Sequence, residues 1–203
     1  NISQVDYIDD SITAFTQHFI AKDERKYKVP PSVGVTSSVA VVGDDYYCLN
    51  ALKSEVHKVR LLFPDSSVSE LFIQGVYDAK KDVQEYRDAL LEPQKMMKII
   101  FNDVDDVFYI LSSTGKIFEY SHRGYCINVI SSPNRSSFII DMEYDTIENS
   151  LWLIDVAANV IHKYEIDSGY NRTAQKVIIG NVHPQSVMVE EAYIYVVTVK
   201  GDI

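Results

Sequence analysis

Of the side chains able to carry chemistry, the histidines come first, because an imidazole can serve as base, nucleophile or metal ligand. The 203-residue chain has five, and none falls in a His-x-x-x-His pair. His57 and His162 each sit inside a short apolar segment, where a core or edge histidine is the simpler reading. Cys48 and Cys126 lie far apart with no Cys-x-x-Cys spacing, so they read as free thiols rather than as a zinc site or disulfide framework. Gly-x-Ser-x-Gly, a phosphate loop and Gly-x-Gly-x-x-Gly are all missing. Asn134-Arg-Ser and Asn171-Arg-Thr are glycosylation triplets, which matter only in a secreted chain. The residues therefore name no catalytic group, metal ligand or cofactor.

The elements around them are more informative. Ser150–Tyr164 reads as two short apolar strands joined by a tight polar turn, and its outline recurs. Four segments align on an aromatic anchor, Tyr47, Tyr109, Trp152 and Tyr195, with intervals of 62, 43 and 43 residues. A period of about 40–45 residues with several strands in each copy marks a β-propeller blade. Each copy reads as strand A (Val39–Val42, Lys98–Phe101, Phe138–Met142, Ser186–Val189), strand B with the anchor, strand C (Val56–Leu61, Ile117–Tyr120, Ile161–Ile166) and a looser strand D. The fourth copy breaks off at Ile203, which favours continuation into further blades. The longer first interval holds Val83, Tyr86 and Leu90 before Pro93, the pattern of a short amphipathic helix inserted near residues 78–91. Residues 1–34 fit the repeat poorly and form a separate segment, either a helix or an added strand. Ile8, Ile12, Phe15 and Phe19 take helical spacing, while the residue types favour strand. The expected architecture is an all-β propeller over residues 35–203.

That repeat places the charges. The A–B turns carry Asp44-Asp45, Asp105-Asp106, Glu148-Asn149 and Glu190-Glu191, which predicts an acidic rim on one face. Such a rim attracts a basic partner or Ca²⁺ through converging carboxylates. Against the ion, the turns of a ring stand too far apart to ligate one cation, and acidic residues also simply suit exposed turns. The B–C turns hold Lys53, Lys116 and Lys200, so the opposite face is less acidic. There the D–A loops Ser131–Ser137 and Asn181–Gln185 offer Asn134, Arg135, His183 and Gln185 as contact candidates by loop position alone.

Ile117-Phe-Glu-Tyr120, and Leu151-Trp-Leu-Ile-Asp155 followed by Asn159-Val-Ile161 and Asp167-Ser-Gly169, resemble blades of the NHL and gluconolactonase-like propellers. The resemblance covers at best residues 35–203, and no Gly-His or Trp-Asp pair marks the WD40 type. It implies a six-bladed type of ring. In the gluconolactonase-like enzymes it implies a divalent metal held in the channel by Glu, Asn and Asp side chains. Asn102, Asp141 and Glu143 on strand A are the residues here that would lie near such an axis, without completing a ligand set.

Composition bounds the partners. With 46% hydrophobic and 24% charged residues the chain carries enough apolar surface for a core. A net charge of −10 repels phosphate backbones, so nucleic acid is excluded as the expected partner. No apolar run is long enough to span a bilayer as a helix. Three readings follow: a non-catalytic interaction or structural module of a larger protein or assembly, such as a virion or surface protein, with other protein chains as partners; a gluconolactonase-like metal-dependent hydrolase; and a glycan- or receptor-binding propeller.

Overall fold

The computed structural model describes residues 2–8, 11–16, 19–22, 25–62, 66–75, 95–132, 136–166, 174–178, 183–190 and 193–198. Every regular element among them is a β-strand, and the strands form five sheets in chain order. The first sheet is β1 (Ile2–Ile8), β2 (Ser11–Thr16), β3 (Phe19–Lys22) and β4 (Arg25–Lys28). The second is β5 (Ser38–Val42), β6 (Asp45–Asn50), β7 (Glu55–Leu62) and β8 (Ser66–Gln74). The third is β9 (Met96–Asn102), β10 (Val107–Ser112), β11 (Ile117–Ser121) and β12 (Cys126–Ile130). The fourth is β13 (Ile139–Asp145), β14 (Ser150–Asp155), β15 (Val160–Glu165) and β16 (Ala174–Ile178). The fifth is the pair β17 (Pro184–Glu190) and β18 (Tyr193–Thr198). Each sheet is a meander in which strands adjacent in sequence pair with one another.

Tyr47, Tyr109, Trp152 and Tyr195 each occupy the second strand of a separate sheet, as the repeat requires. The helix suggested by Ile8, Ile12, Phe15 and Phe19 does not form. Ile8 closes β1, Ile12 and Phe15 lie within β2, and Phe19 opens β3. Ile12 pairs with Tyr7, and Phe15 with both Gln4 and Ile20. The apparent helical period is the spacing of three short strands, and the branched and aromatic residue types prevail. The helix expected near residues 78–91 lies outside the described residues.

The chain divides into two compact units, Asn1–Ile99 and Ile100–Ile203, with the division inside β9. In the first, Val39, Tyr46, Cys48 and Val59 of the second sheet pack on Ile20 of β3 and on Val29 and Val33 of the following linker. Ser38 of β5 also reaches the next sheet, its Oγ donating to the Ile99 carbonyl at 3.3 Å and accepting from the Ile99 amide at 3.2 Å. In the second unit, Trp152, Ile154 and Ile161 pack against Val187, with Val189 and Val196 beside it. Asp141 of β13 accepts from the Val187 amide at 2.9 Å and from the Ser186 hydroxyl at 2.7 Å. Sheet-to-sheet packing is therefore apolar, with one polar stitch on the first strand of the second and fourth sheets.

Two of the four anchors share an electrostatic setting. Tyr47 stands opposite Lys58 and Trp152 opposite Lys163 across the second and third strands. The two ammonium groups lie 5.8 and 5.5 Å from the respective ring centroids, within cation–π range. Each lysine also pairs with a carboxylate, Lys58 with Asp45 at 2.9 Å and Lys163 with Glu148. In the third sheet the place opposite Tyr109 is taken by Glu119, buried and bonded to Asn128 Nδ2 at 3.2 Å.

Candidate functional site: acidic turns with apolar tips

One turn design recurs at strand ends. Asn50, Asn102, Asp145 and Asp155 each close a strand, and each Oδ1 accepts the backbone amides two and three residues on, at 2.9–3.2 Å. Four residues after each stands one with positive φ: Ser54 (53°), Asp106 (55°), Asn149 (43°) and Asn159 (53°). Such side-chain-to-backbone bonds fold the chain back on itself, and Asn and Asp tolerate the left-handed region better than most residues. The residue two places after the Asx points outward. Leu52, Val104 and Ile147 are 79%, 60% and 68% exposed in these positions.

Two of the turns with these tips belong to the second unit. The β9–β10 turn presents Asp103, Val104, Asp105 and Asp106, all exposed, and the β13–β14 turn presents Ile147 and Glu148. Burial first, and then the charges of Asp103, Asp105 and Asp145, push the Tyr144 hydroxyl up to about 12. The charge of the β9–β10 acids therefore reaches Tyr144 at the base of the β13–β14 turn. Tyr144 in turn donates to Asn149 Oδ1 at 2.9 Å, holding that turn's left-handed residue. The result is a carboxylate-rich surface bearing two apolar tips on well-fixed backbone.

The acids expected at the rim have different fates. Asp44 is exposed at the β5–β6 turn, whereas Asp45 is bound by Lys58 and by both Nε and Nη2 of Arg60, at 2.9 and 3.3 Å for the latter. Burial works to raise the Asp45 carboxyl, but these two cations outweigh it and hold it below the usual carboxylate range. Asp105 accepts from Asn102 Nδ2 at 3.0 Å, Asp106 lies 3.3 Å from His122 Nδ1, and Glu148 is engaged by Lys163. Glu190 ends β17 and is exposed, and Glu191 lies outside the described residues. Of the loop candidates, His183 and Gln185 are exposed, with Gln185 already inside β17, and Asn134 and Arg135 lie outside the described residues. Asp103, Val104 and Ile147 were not singled out in the sequence. Their signal is the Asx residue two or one places before, paired with a polar residue at the fourth position.

The interior groups are structural. Asp155 is fully buried, its Oδ1 accepting from the amides of Phe138, Ala157 and Ala158, its Oδ2 3.3 Å from His162 Nε2. Burial alone would raise this carboxyl, but hydrogen bonds from Ser137, Phe138, Ala158 and His162 together bring it below the usual range. His57 sits at the equivalent place, 3.1 Å from Glu55. Burial pushes the Cys48 thiol up to about 12. Of the strand residues considered for a channel metal, Asn102 is occupied by its own turn and Asp141 by Ser186 and Val187. Among the described residues no three His, Cys, Asp or Glu side chains converge as a metal site.

This arrangement of sheets is that of a β-propeller. The chain is similar to the beta-propeller domain of Myceliophteria thermophila Cps50 (Swd1), with 10% identity and a TM-score of 0.68 over 98% of this chain and 67% of that one. It is similar also to the WD40 beta propeller domain of Doa1, with 11% identity and a TM-score of 0.66 over 99% of this chain and 62% of that one. A third similar structure is streptogramin B lyase, at 12% identity and a TM-score of 0.62 over 95% of this chain and 60% of that one. The chain thus spans about two thirds or less of these structures. No protein-family model and no curated protein matches it. At such identities the likeness defines the fold alone. Because a WD40 domain and a lyase stand side by side, the resemblance to NHL and gluconolactonase-like blades narrows to the β-propeller as such.

Proposed function

We propose that this chain is a non-catalytic β-propeller interaction module that holds a basic segment of a protein partner on the turns β9–β10 and β13–β14. The observation carrying this reading is the pairing of exposed acids, Asp103, Asp105, Asp106 and Glu148, with the outward tips Val104 and Ile147. A basic peptide with interspersed apolar residues gains both ion pairing and burial there, and the net charge of −10 steers it in. Two of the three similar structures above are beta-propeller domains, which agrees with a platform role. The engagement of Asp141 and Asn102 within the fold speaks against the hydrolase reading.

The test uses a fluorescein-labelled peptide of alternating Lys and Leu, titrated with the full chain and read by anisotropy. Binding should weaken with salt and fall at least about tenfold in a variant carrying Asp103→Asn, Asp105→Asn and Asp106→Asn. Val104→Ser with Ile147→Ser should weaken it without changing the salt slope. Equal affinity of wild type and the acid-neutralised variant overturns the proposal.

A further inference from the structure

Positive charge is concentrated at one place in this acidic chain. Strand β4, Arg25-Lys-Tyr-Lys28, puts three cations into four residues and holds no carboxylate, a composition no other described strand has. Strands β7 and β15 also carry cations but mix them with Glu55 and Glu165. Arg25, Lys26 and Lys28 are exposed, and Tyr27 between them is half-buried.

The strand is fixed by its neighbours. It pairs along its whole length with β3, Phe19 with Lys28, Ile20 with Tyr27, Ala21 with Lys26 and Lys22 with Arg25. The Ser67 hydroxyl of β8 donates to the Lys28 carbonyl at 2.6 Å. Residues paired across strands share a face, so Tyr27 lies on the side of Ile20, which packs in the core with Val29 and Val33. Lys26 and Lys28 lie on the other side, and a spacing of two residues sets them about 7 Å apart along the strand. The result is a short rigid element presenting a pair of ammonium groups on long methylene stems.

We propose that the basic segment held on the β9–β10 and β13–β14 turns is strand β4 of a second copy of this chain, which rests on those turns being a docking surface for a basic segment. Lys26 and Lys28 of one copy meet Asp103, Asp105 and Asp106 of the other, and their methylene stems lie over the exposed tips Val104 and Ile147. With no carboxylate inside β4, nothing in the strand itself repels the turn acids. β4 belongs to the first compact unit and the turns to the second, so the contact joins two different surfaces and is heterologous. A net charge of −10 on each copy opposes their approach at long range, so the contact depends on this local match of opposite charge.

The decisive measurement is the mass of the full chain in solution, by sedimentation over a concentration series reaching about 0.5 mM. The wild type should gain mass with concentration, and added salt should reverse the gain. A strand variant carrying Arg25→Gln, Lys26→Gln and Lys28→Gln should associate at least about tenfold more weakly, and so should a turn variant carrying Asp103→Asn, Asp105→Asn and Asp106→Asn. Mixed together, the two variants should recover a species of two chains, because one brings intact turns and the other an intact strand. The strand variant should still bind the peptide of alternating Lys and Leu, which also shows that it is folded. A wild type that binds the peptide but keeps the mass of one chain overturns the second copy as partner and leaves the turns to another basic protein. A wild type that does neither overturns the docking surface as well. Association undiminished in either variant, or a mixture that stays at the mass of one chain, likewise overturns the proposal.

Discussion

Replacing Asp155 by alanine should be among the most damaging single changes, and the structure lets its size be worked out. The carboxylate is 0% exposed and serves three backbone amides and His162. Ala157 and Ala158 are exposed, so water can take over their amides at a cost of roughly a few tenths of a kcal/mol each. The Phe138 amide, at 3.1 Å, is part-buried and should cost about 1 kcal/mol. His162 is fully buried, and its Nδ1 has no hydrogen-bond partner among the described residues. Losing Asp155 strips Nε2 as well, at about 1–3 kcal/mol. The sum is about 3 kcal/mol, which for a chain of this size lowers the thermal midpoint by roughly 6–12 °C. Asp155→Asn keeps an acceptor for the turn, but its N–H₂ faces Nε2 and drives the ring proton to the orphaned Nδ1. That variant should lose about half as much. Trp152, the only tryptophan, lies on the same hairpin and reports the transition by fluorescence. The pH dependence has a definite sign. The folded carboxyl is held below its unfolded value of about 3.9, so its contribution is fully present above about pH 5 and disappears as pH falls through the lowered value. The gap between wild type and Asp155→Asn should be constant from about pH 7 to 5 and close below about 4. An Asp155→Ala midpoint within about 1 °C of wild type would refute the reasoning.

Asp141→Ala removes the acceptor of Ser186 and the Val187 amide between the fourth and fifth sheets and should cost about 2–3 kcal/mol, with faster hydrogen exchange at Val187; unchanged exchange there counts against the stitch. Gly34→Ala should destabilise by about 2–3 kcal/mol in denaturant titrations. Its φ is +73°, and a Cβ would stand 2.7 Å from Asn50 Nδ2, which donates to the Val33 carbonyl; a loss below about 0.5 kcal/mol contradicts this. Thiol labelling of the native chain should reach half-buried Cys126 well before Cys48, whose thiol is fully buried and pushed up to about 12, and equal rates would show the core to be open.

The repeat was legible because each anchor is the third residue of its strand, and strand, turn and anchor recur together. The first sheet escaped for a specific reason. Thr13 stands third in β2 where the other sheets carry an aromatic, and only 34 residues separate it from Tyr47. Without the aromatic and with a shorter period, the remaining Ile and Phe residues mimic a helical spacing. The candidate site was half legible. Acidic turns could be read from composition, but Asp45 and Glu148 looked as free as Asp44. Their engagement by Lys58, Arg60 and Lys163 depends on which residues stand near one another across strands. Val104 and Ile147 look like ordinary core residues in sequence, and only the Asx turns rotate them outward.

What the amino-acid order determined by itself is local: alternation and branched side chains made strands, and Asn, Asp and Gly made the turns between them, because these preferences act within a few residues. What the tertiary structure decided is which groups remain available. Asp141, Asp155 and His162 carry chemistry in principle and lose it to neighbours 7 to 46 residues away. Asp44 and Asp103 stay exposed at the tips of their turns. A side chain's reactivity depends on its desolvation and its partners, and these are settled only when sheets pack on one another.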